Sequence, residues 1–360
     1  MTPCYNFSAG PSLLPEPVVQ QIREDLPNWN GQGPSIMEIS HRSKAFDEVV
    51  EESQTLLREL LQLPDNYQIL WMQGGASSQF SLVPMNLLKG PDSKAAYLVS
   101  GSWSQKAFDT AHYHTQPHLI ASGAPDFDRL PPRKLWEVRE DVDYLHITSN
   151  ETIHGIQFHH NVNINDIPLV IDGSSDILCR PLPYDNFGLL YAGAQKNLGP
   201  AGVTLVIIRD DLLERSGDRL APMFNYQNFA TKKSLYNTPP VFSWYVCNLV
   251  LRWIKAEGGI EAIHRQNQNK AFALYSEIGR DDFYHNPVEI ASRSLMNVPF
   301  RIHKPELEAR FLAEAEAAGF IGLKGHRSVG GLRASLYNAV TPHHVFALVK
   351  FMQNFKKQHG

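Results

Sequence analysis

Residues 193–200 read Gly-Ala-Gln-Lys-Asn-Leu-Gly-Pro and follow directly on the apolar run Gly188–Ala192. The run predicts a buried strand, and the small residues around Lys196 with the Gly-Pro pair predict a turn where that strand ends. A lysine placed in such a turn can form a Schiff base with an aldehyde. Taken alone, Lys196 is better explained as a surface lysine on a loop, so its sequence context has to decide.

Short apolar runs alternate with amphipathic stretches along much of the chain. This alternation is typical of parallel strands joined by helices in an α/β domain. We predict strands at Gln68–Met72, Ala95–Val99, Tyr144–Ile147, Leu169–Ile171, Gly188–Ala192 and Val203–Ile208, and helices at Ser78–Leu88 and Ser104–His112.

The C-terminal part of the chain has a different pattern. Val241–Ala256 predicts an amphipathic helix that ends at the pair Gly258-Gly259, a plausible domain edge. The pattern beyond it predicts a smaller α+β domain. Its predicted elements are a strand at Leu295–Ile302, a helix at Glu306–Ala318, a strand at Leu332–Leu336 and a final helix.

The composition argues against several classes of function. The chain has 360 residues, 43% hydrophobic and 19% charged, which is typical of a globular protein. A formal net charge of −4 without basic runs argues against nucleic acid as a partner. We also expect no membrane span and a cytoplasmic location, because no apolar run is long enough and no leader is evident. Cys4, Cys179 and Cys247 lie far apart, so we expect neither disulfides nor a metal site.

Asp172 follows the apolar run Leu169–Ile171. Ligands of α/β proteins bind at the carboxyl ends of such strands. An anion at this place can keep the pyridine nitrogen of pyridoxal phosphate (PLP) protonated, which makes the ring an electron sink. The alternative is an aspartate that caps the next turn, a role that suits Asp176 better.

A glycine-rich turn, Gln73-Gly74-Gly75-Ala76-Ser77-Ser78, separates a predicted strand from a predicted helix. Backbone amides at a helix N-terminus bind anions such as a phosphate. The turn lacks the GxxxxGK[ST] pattern, so a nucleotide is not implied. Because glycine pairs before helices are common, this feature alone is weak evidence.

An aromatic residue and a hydroxyl follow two other predicted strands. Trp103 comes after the strand at 95–99, and its indole can stack on a pyridine ring. Thr152 comes after the strand at 144–147, and its hydroxyl can donate to a phenolic oxygen. Core packing and ordinary turn chemistry remain alternatives for each residue taken singly.

Together these segments resemble the phosphoserine aminotransferase family, in the class V subgroup of the fold-type-I PLP-dependent aminotransferases. The resemblance spans nearly the whole chain. Its most specific part is Gly325–Ser335, which reads Gly-His-Arg-Ser-Val-Gly-Gly-Leu-Arg-Ala-Ser. It also includes residues 6–11, 38–43 and 236–240 and the segments around Ala76, Trp103, Thr152, Asp172 and Lys196.

The resemblance implies a fold and an assembly. It implies a large α/β domain with a mostly parallel seven-stranded sheet at residues 15–258, and a smaller α+β domain made of residues 1–14 and 259–360. It also implies a homodimer with shared active sites and one PLP per subunit.

The resemblance further implies roles for single residues. Lys196 forms the Schiff base with PLP, Asp172 meets the pyridine nitrogen and Trp103 stacks on the ring. The other implied cofactor contacts are those of Ala76, Ser77, Thr152 and Gln195 and, from the neighbouring subunit, Asn237 and Thr238. The implied substrate-binding residues are His41, Arg42, His326, Arg327 and Arg333. Many bacterial members have an arginine where this chain has Ser77, which leaves open how the cofactor phosphate is neutralised.

The implied reaction is a ping-pong transfer of an amino group from glutamate to 3-phosphohydroxypyruvate, which gives phosphoserine for serine biosynthesis. In bacteria, the family also aminates a related phosphorylated keto acid on the route to PLP. The alternatives left open are a serine-pyruvate or alanine-glyoxylate aminotransferase, a cysteine desulfurase, and a PLP- or anion-binding module without turnover. The cationic pair His326-Arg327 near Arg333 favours a phosphorylated substrate over an unphosphorylated one.

Overall fold

The computed structural model describes residues 4–162, 164, 166–217 and 219–360. The strands are β1 (Tyr5–Asn6), β2 (Tyr67–Met72), β3 (Ala96–Val99), β4 (His118–Ser122), β5 (Leu145–Thr148), β6 (Asn150–Glu151), β7 (Ile156–Gln157), β8 (Leu169–Asp172), β9 (Leu189–Gly193), β10 (Thr204–Arg209), β11 (Tyr284–His285), β12 (Asn297–Ile302), β13 (Phe320–Ile321) and β14 (Leu332–Ser335). The α-helices are α1 (Glu16–Asp25), α2 (Lys44–Leu61), α3 (Gly75–Leu87), α4 (Ser102–Ala111), α5 (Asp210–Leu213), α6 (Tyr226–Thr231), α7 (Val241–Ala256), α8 (Gly259–Ile278), α9 (Glu308–Ala317) and α10 (Pro342–His359).

One seven-stranded sheet organises the central part of the chain. Its strand order is β2-β10-β9-β8-β5-β3-β4, and β10 runs antiparallel to both of its neighbours while the other pairs are parallel. The predicted mostly parallel sheet is thus confirmed, and the six predicted strands begin and end within one residue of their observed bounds. The edge strand β4 was not predicted, because only Ile120 within it is buried and no apolar run marks it.

Helices cover both faces of this sheet, which explains why its strands are apolar throughout. In β8, Leu169 and Ile171 lie in the core that contains residues of α2 and α7, whereas Val170 lies in the core that contains residues of α3 and α4. Helix α7 has the predicted bounds. Helix α3 begins at Gly75 rather than at the predicted Ser78.

The chain after α7 forms another core together with the N-terminal segment. Strands β11, β12 and β14 make an antiparallel sheet, and β1 pairs in parallel with β13. Phe7 belongs to the same buried cluster as residues of α8, α9 and α10. The division into residues 15–258 and residues 1–14 with 259–360 stays a prediction. No helix in the described parts of the chain is both long and apolar enough to cross a membrane.

The sheet brings three separated segments to one edge. Strands β5, β8 and β9 are parallel neighbours, so their carboxyl ends lie side by side. Thr152 follows β5 closely, Asp172 ends β8, and Lys196 lies in the turn after β9. Residues that are distant in sequence therefore meet at the edge where α/β proteins bind ligands.

Candidate active site

Lys196 occupies the turn that follows β9. Its Nζ donates a 2.8 Å hydrogen bond to Thr152 Oγ1 and lies 5.6 Å from the centroid of the Trp103 ring. Burial lowers the pKa of Lys196 to about 8, although the negative charge of Asp172 acts in the opposite direction. An amine with this pKa is partly unprotonated near neutral pH, as a nucleophile or general base must be.

Asp172 is buried at the end of β8. Its Oδ1 accepts hydrogen bonds from the Ser174 N–H at 3.0 Å and from the Ser174 hydroxyl at 2.6 Å. Burial raises the pKa of Asp172, while the ammonium of Lys196 and the bonds from Ser174 oppose that rise. Among the described residues Oδ2 has no hydrogen-bond donor, so this oxygen remains available to a cationic ring nitrogen.

Glu151 is another buried acid at this edge, and no role was predicted for it from the sequence. Its Oε2 accepts from the Trp103 N–H at 2.9 Å, and its Oε1 accepts from the N–H and the hydroxyl of Ser104 at 2.8 and 2.6 Å. The carboxylate thus caps the N-terminus of α4, which fixes the Trp103 backbone. Gly101 makes room for it, because a Cβ there would lie 2.5 Å from the Glu151 carboxyl carbon.

The N-terminus of α3 offers backbone amides without a side-chain cap. Gly74, with a φ of 95°, turns the chain into the helix immediately before Gly75. Ala76 and Ser77 therefore lie in the first helical turn, where N–H groups have no partner within the helix. These amides form a site suited to an anion such as a phosphate.

The N-terminal segment crosses over the Lys196 turn. The Ser12 N–H donates to Gln195 O at 3.0 Å, and the Ser12 hydroxyl donates to Lys196 O. Gly10 comes so close that a Cβ there would lie 3.4 Å from Lys196 Cγ. The Gln195 side chain folds back against Gly193, where a Cβ would lie 2.6 Å from Gln195 Oε1. The backbone around Lys196 is thus held by the N-terminal segment and by the side chain of its neighbour Gln195.

Arg333 reaches the site from β14, in the C-terminal part of the chain. Its Nη1 donates to Thr152 O at 3.3 Å, and burial lowers the pKa of its guanidinium. Its Nε is buried without a hydrogen-bond partner among the described residues. A buried guanidinium with an unused donor is suited to bind a carboxylate.

Further basic side chains lie near Arg333. Burial lowers the pKa of His326, and the charges of Arg333, Arg327 and Lys106 lower it further. Burial and the proximity of His326 lower the pKa of His154 to about 4. The predicted residues His326 and Arg327 thus share one region with Arg333. Lys106 and His154 also lie there and were not predicted from the sequence.

The structure places the other four predicted residues elsewhere. His41 and Arg42 lie in the loop before α2, and Asn237 and Thr238 lie before α7. His41 and Thr238 line one groove of about 390 Å³ together with Met37 and Phe242. Among the described residues, no hydrogen bond links His41, Arg42 or Thr238 to Lys196 or Arg333.

Comparison with known proteins decides the family. The family model described as aminotransferase class V matches residues 4–348. The chain belongs to the class V aminotransferases. This class V aminotransferase is 48% identical over 358 residues to the phosphoserine aminotransferase of Laribacter hongkongensis, with 99% of each chain covered.

Two solved structures resemble this class V aminotransferase closely. A phosphoserine aminotransferase studied for radiation damage of its Schiff base has a TM-score of 0.96 and 48% identity, with 99% and 100% of the two chains covered. The PLP-bound phosphoserine aminotransferase of Trichomonas vaginalis has a TM-score of 0.92 and 37% identity, with 98% and 100% covered. The predicted fold-type-I architecture and PLP-dependent enzyme class are confirmed.

The cysteines disfavour a desulfurase. Cys179 and Cys247 are fully buried, and burial raises the pKa of both thiols. Cys4 is exposed just before β1. A buried thiol of raised pKa is a poor nucleophile, so an aminotransferase agrees better with these positions.

Proposed function

We propose that this class V aminotransferase moves an amino group between glutamate and 3-phosphohydroxypyruvate, giving phosphoserine and 2-oxoglutarate. The observation that carries the proposal is the convergence of basic side chains around Arg333, whose buried Nε has no partner among the described residues, beside a lysine of lowered pKa. The relatives named phosphoserine aminotransferase support the same substrates and a place in serine biosynthesis. A cytoplasmic location and use of a second phosphorylated keto acid, on the route to PLP, stay predictions.

The residues present fit PLP as the cofactor. The free Oδ2 of Asp172 suits the pyridine nitrogen, and the first-turn amides at Ala76 and Ser77 suit the phosphate. The Trp103 ring, which already lies near the amine of Lys196, offers a flat face for stacking. Gln195 has a polar side chain next to the lysine and is proposed as a further phosphate contact.

The mechanism follows from the chain's own groups. When bound, PLP supplies an electron sink that eases loss of a proton from the substrate's α-carbon. Lys196 takes this proton as the general base, and its pKa of about 8 suits the role at neutral pH. Thr152 orients the amine through the 2.8 Å bond. Asp172 holds a proton at the ring nitrogen as long as its carboxylate stays ionised.

Substrate binding is assigned to the cationic region. Arg333 is proposed to bind the α-carboxylate, because a guanidinium binds a carboxylate through two parallel hydrogen bonds. His326 and Arg327 are proposed to bind the substrate's phosphate, whose nearly two additional charges need partners when removed from water. The distal carboxylate of glutamate is proposed to use the same place.

The remaining predicted residues are assigned to a homodimer. Asn237 Oδ1 is buried and has no partner in the described part of the chain, although Asn237 Nδ2 donates to Thr238 O at 3.1 Å. His41 and Thr238 line the same groove, and Arg42 follows His41 in the chain. We propose that this surface completes the neighbouring subunit's site, with Asn237 and Thr238 near the cofactor phosphate and His41 and Arg42 near the substrate.

Amination of 3-phosphohydroxypyruvate compared with unphosphorylated hydroxypyruvate tests the proposal. We expect a kcat/KM for the phosphorylated keto acid that is higher by orders of magnitude. Equal use of the two compounds would point to a serine-pyruvate or alanine-glyoxylate aminotransferase. A visible absorption band of bound PLP that no amino acid changes would point to a module without turnover.

A further inference from the structure

Lys270 is a buried lysine outside the proposed catalytic groups. It lies on α8 with 2% of its surface exposed. Its Nζ donates to three backbone carbonyls, those of Leu336 at 3.0 Å, Tyr337 at 2.9 Å and Val340 at 2.7 Å. An ammonium has three N–H donors, and each of them has an acceptor here.

The charge of Lys270 has no carboxylate partner among the described residues. The titratable groups that act on it from neighbouring elements are Cys179, which follows β8, and His344 on α10. Burial lowers the pKa of Lys270 to about 7, whereas the three carbonyls favour the ammonium form. Burying an unpaired charge costs free energy that an apolar side chain of similar size would avoid. Stability alone is therefore a poor explanation for a lysine at this position.

All three acceptors lie in residues 336–340, the link between β14 and α10, which we call the junction segment. Arg333 lies on β14 only three residues before it. Within the segment, the Asn338 N–H donates to Asn197 Oδ1 at 3.0 Å, and Asn197 adjoins Lys196. The junction segment is therefore connected both to the proposed substrate arginine and to the turn of the catalytic lysine.

We propose that Lys270 is a positioning residue that holds the junction segment, and through it sets Arg333 relative to Lys196. The proposal rests on the proposed function and deepens it. The three hydrogen bonds of the Lys270 ammonium restrict the junction segment, because moving the segment lengthens at least one of them. Reaction rates fall steeply when reacting groups are displaced by about 1 Å, so a loosened segment affects binding and chemistry without touching either reactant.

The test compares Lys270→Met with Leu274→Ala. Leu274 lies one turn later on α8 in the same core and is fully buried, so its truncation destabilises that core without removing a bond to the junction segment. For Lys270→Met we expect kcat/KM to fall about 10- to 100-fold for the amino donor and the keto acid alike. For Leu274→Ala we expect near wild-type kinetics despite a lower midpoint of thermal unfolding.

A second readout needs no keto acid. The pH dependence of the visible absorption of the PLP-loaded enzyme reports on the surroundings of Lys196, and we expect it to shift in Lys270→Met and not in Leu274→Ala. If Lys270→Met does not fold, Lys270→Gln takes its place. A glutamine amide has two N–H donors on a shorter side chain and cannot serve all three carbonyls, so we expect the same changes to a smaller extent. Wild-type kinetics together with an unshifted absorption profile in the lysine variant would overturn the proposal. Failure of the wild type on 3-phosphohydroxypyruvate would instead overturn the proposed function and leave the absorption comparison valid.

Discussion

The two halves of the proposed site differ in how far one chain completes them. The inner cluster, defined as Lys196, Asp172, Thr152 and Glu151, is held by hydrogen bonds within one chain. Lys196 bonds to Thr152, whereas Asp172 and Glu151 accept bonds from neighbouring loop and helix residues. The outer patch, defined as His41, Arg42, Asn237 and Thr238, bonds mainly within itself, as in the 3.4 Å contact of Arg42 Nε with His41 Nε2. The fold preorganises the inner cluster, whereas the outer patch has unused polar groups that a second subunit can employ.

Loss of Lys196 is expected to have the largest effect, because Lys196 is both the proposed Schiff-base lysine and the proposed general base. We expect Lys196→Ala to lose transamination by about 10⁴-fold or more. Borohydride should no longer fix PLP covalently to the chain. Mass spectrometry of the reduced protein checks this, and a variant with a reducible lysine adduct and normal turnover contradicts the assignment.

Mixed dimers test the difference between the inner cluster and the outer patch directly. Subunits with Lys196→Ala and subunits with Asn237→Ala and Thr238→Ala should each be nearly inactive alone. A mixed dimer has one intact site, so we expect verified mixed dimers to recover about half of the wild-type activity. Absence of recovery would mean that each site is built within one chain.

Asp172→Asn is expected to slow the reaction while PLP still binds. The amide cannot hold the proton at the ring nitrogen. We therefore expect glutamate to convert bound PLP to pyridoxamine phosphate about 10²- to 10³-fold more slowly. Stopped-flow absorbance measures this rate, and equilibrium titration of PLP measures the smaller loss of affinity. Conversion at the wild-type rate would exclude Asp172 as the electronic partner.

The cationic region should discriminate between two keto acids. We expect Arg327→Ala or His326→Ala to weaken use of 3-phosphohydroxypyruvate by about 2 to 4 kcal/mol in transition-state free energy, because the phosphate loses one of its hydrogen-bond donors. Use of unphosphorylated hydroxypyruvate should be weakened much less. Equal losses in kcat/KM on both substrates would remove these residues from phosphate recognition.

The sequence predicted the parts of this site that depend on residues close together in the chain. Apolar runs that precede Asp172 and the turn of Lys196 predicted the sheet edge, because strand periodicity and turn residues are local signals. Glu151 was missed, since its bonds to α4 join residues 47 and 48 positions apart. Lys270 gave no signal because its three acceptors are backbone carbonyls, which every residue carries.

The smallest expected effect on activity is that of replacing Ser174, which bonds to Asp172 of the inner cluster. Its hydroxyl donates to Asp172 Oδ1 at 2.6 Å and accepts from the Gly193 N–H at 3.1 Å. Its loss raises the pKa of Asp172, because a bond to the ionised form disappears. We expect Ser174→Ala to cost about 1 to 2 kcal/mol in kcat/KM and to move the acidic limb of the pH profile to higher pH.

Ser175→Ala is the matched control for this prediction. Ser175 is equally buried, and its hydroxyl donates to Asn150 O at 2.6 Å and accepts from Asn150 Nδ2 at 2.8 Å, so it makes two bonds but none to Asp172. Both variants therefore lose two buried hydrogen bonds and should lose similar stability. Only Ser174→Ala should move the acidic limb. The same pH profile in both variants would mean that Ser174 supports the local packing and leaves the charge of Asp172 unaffected.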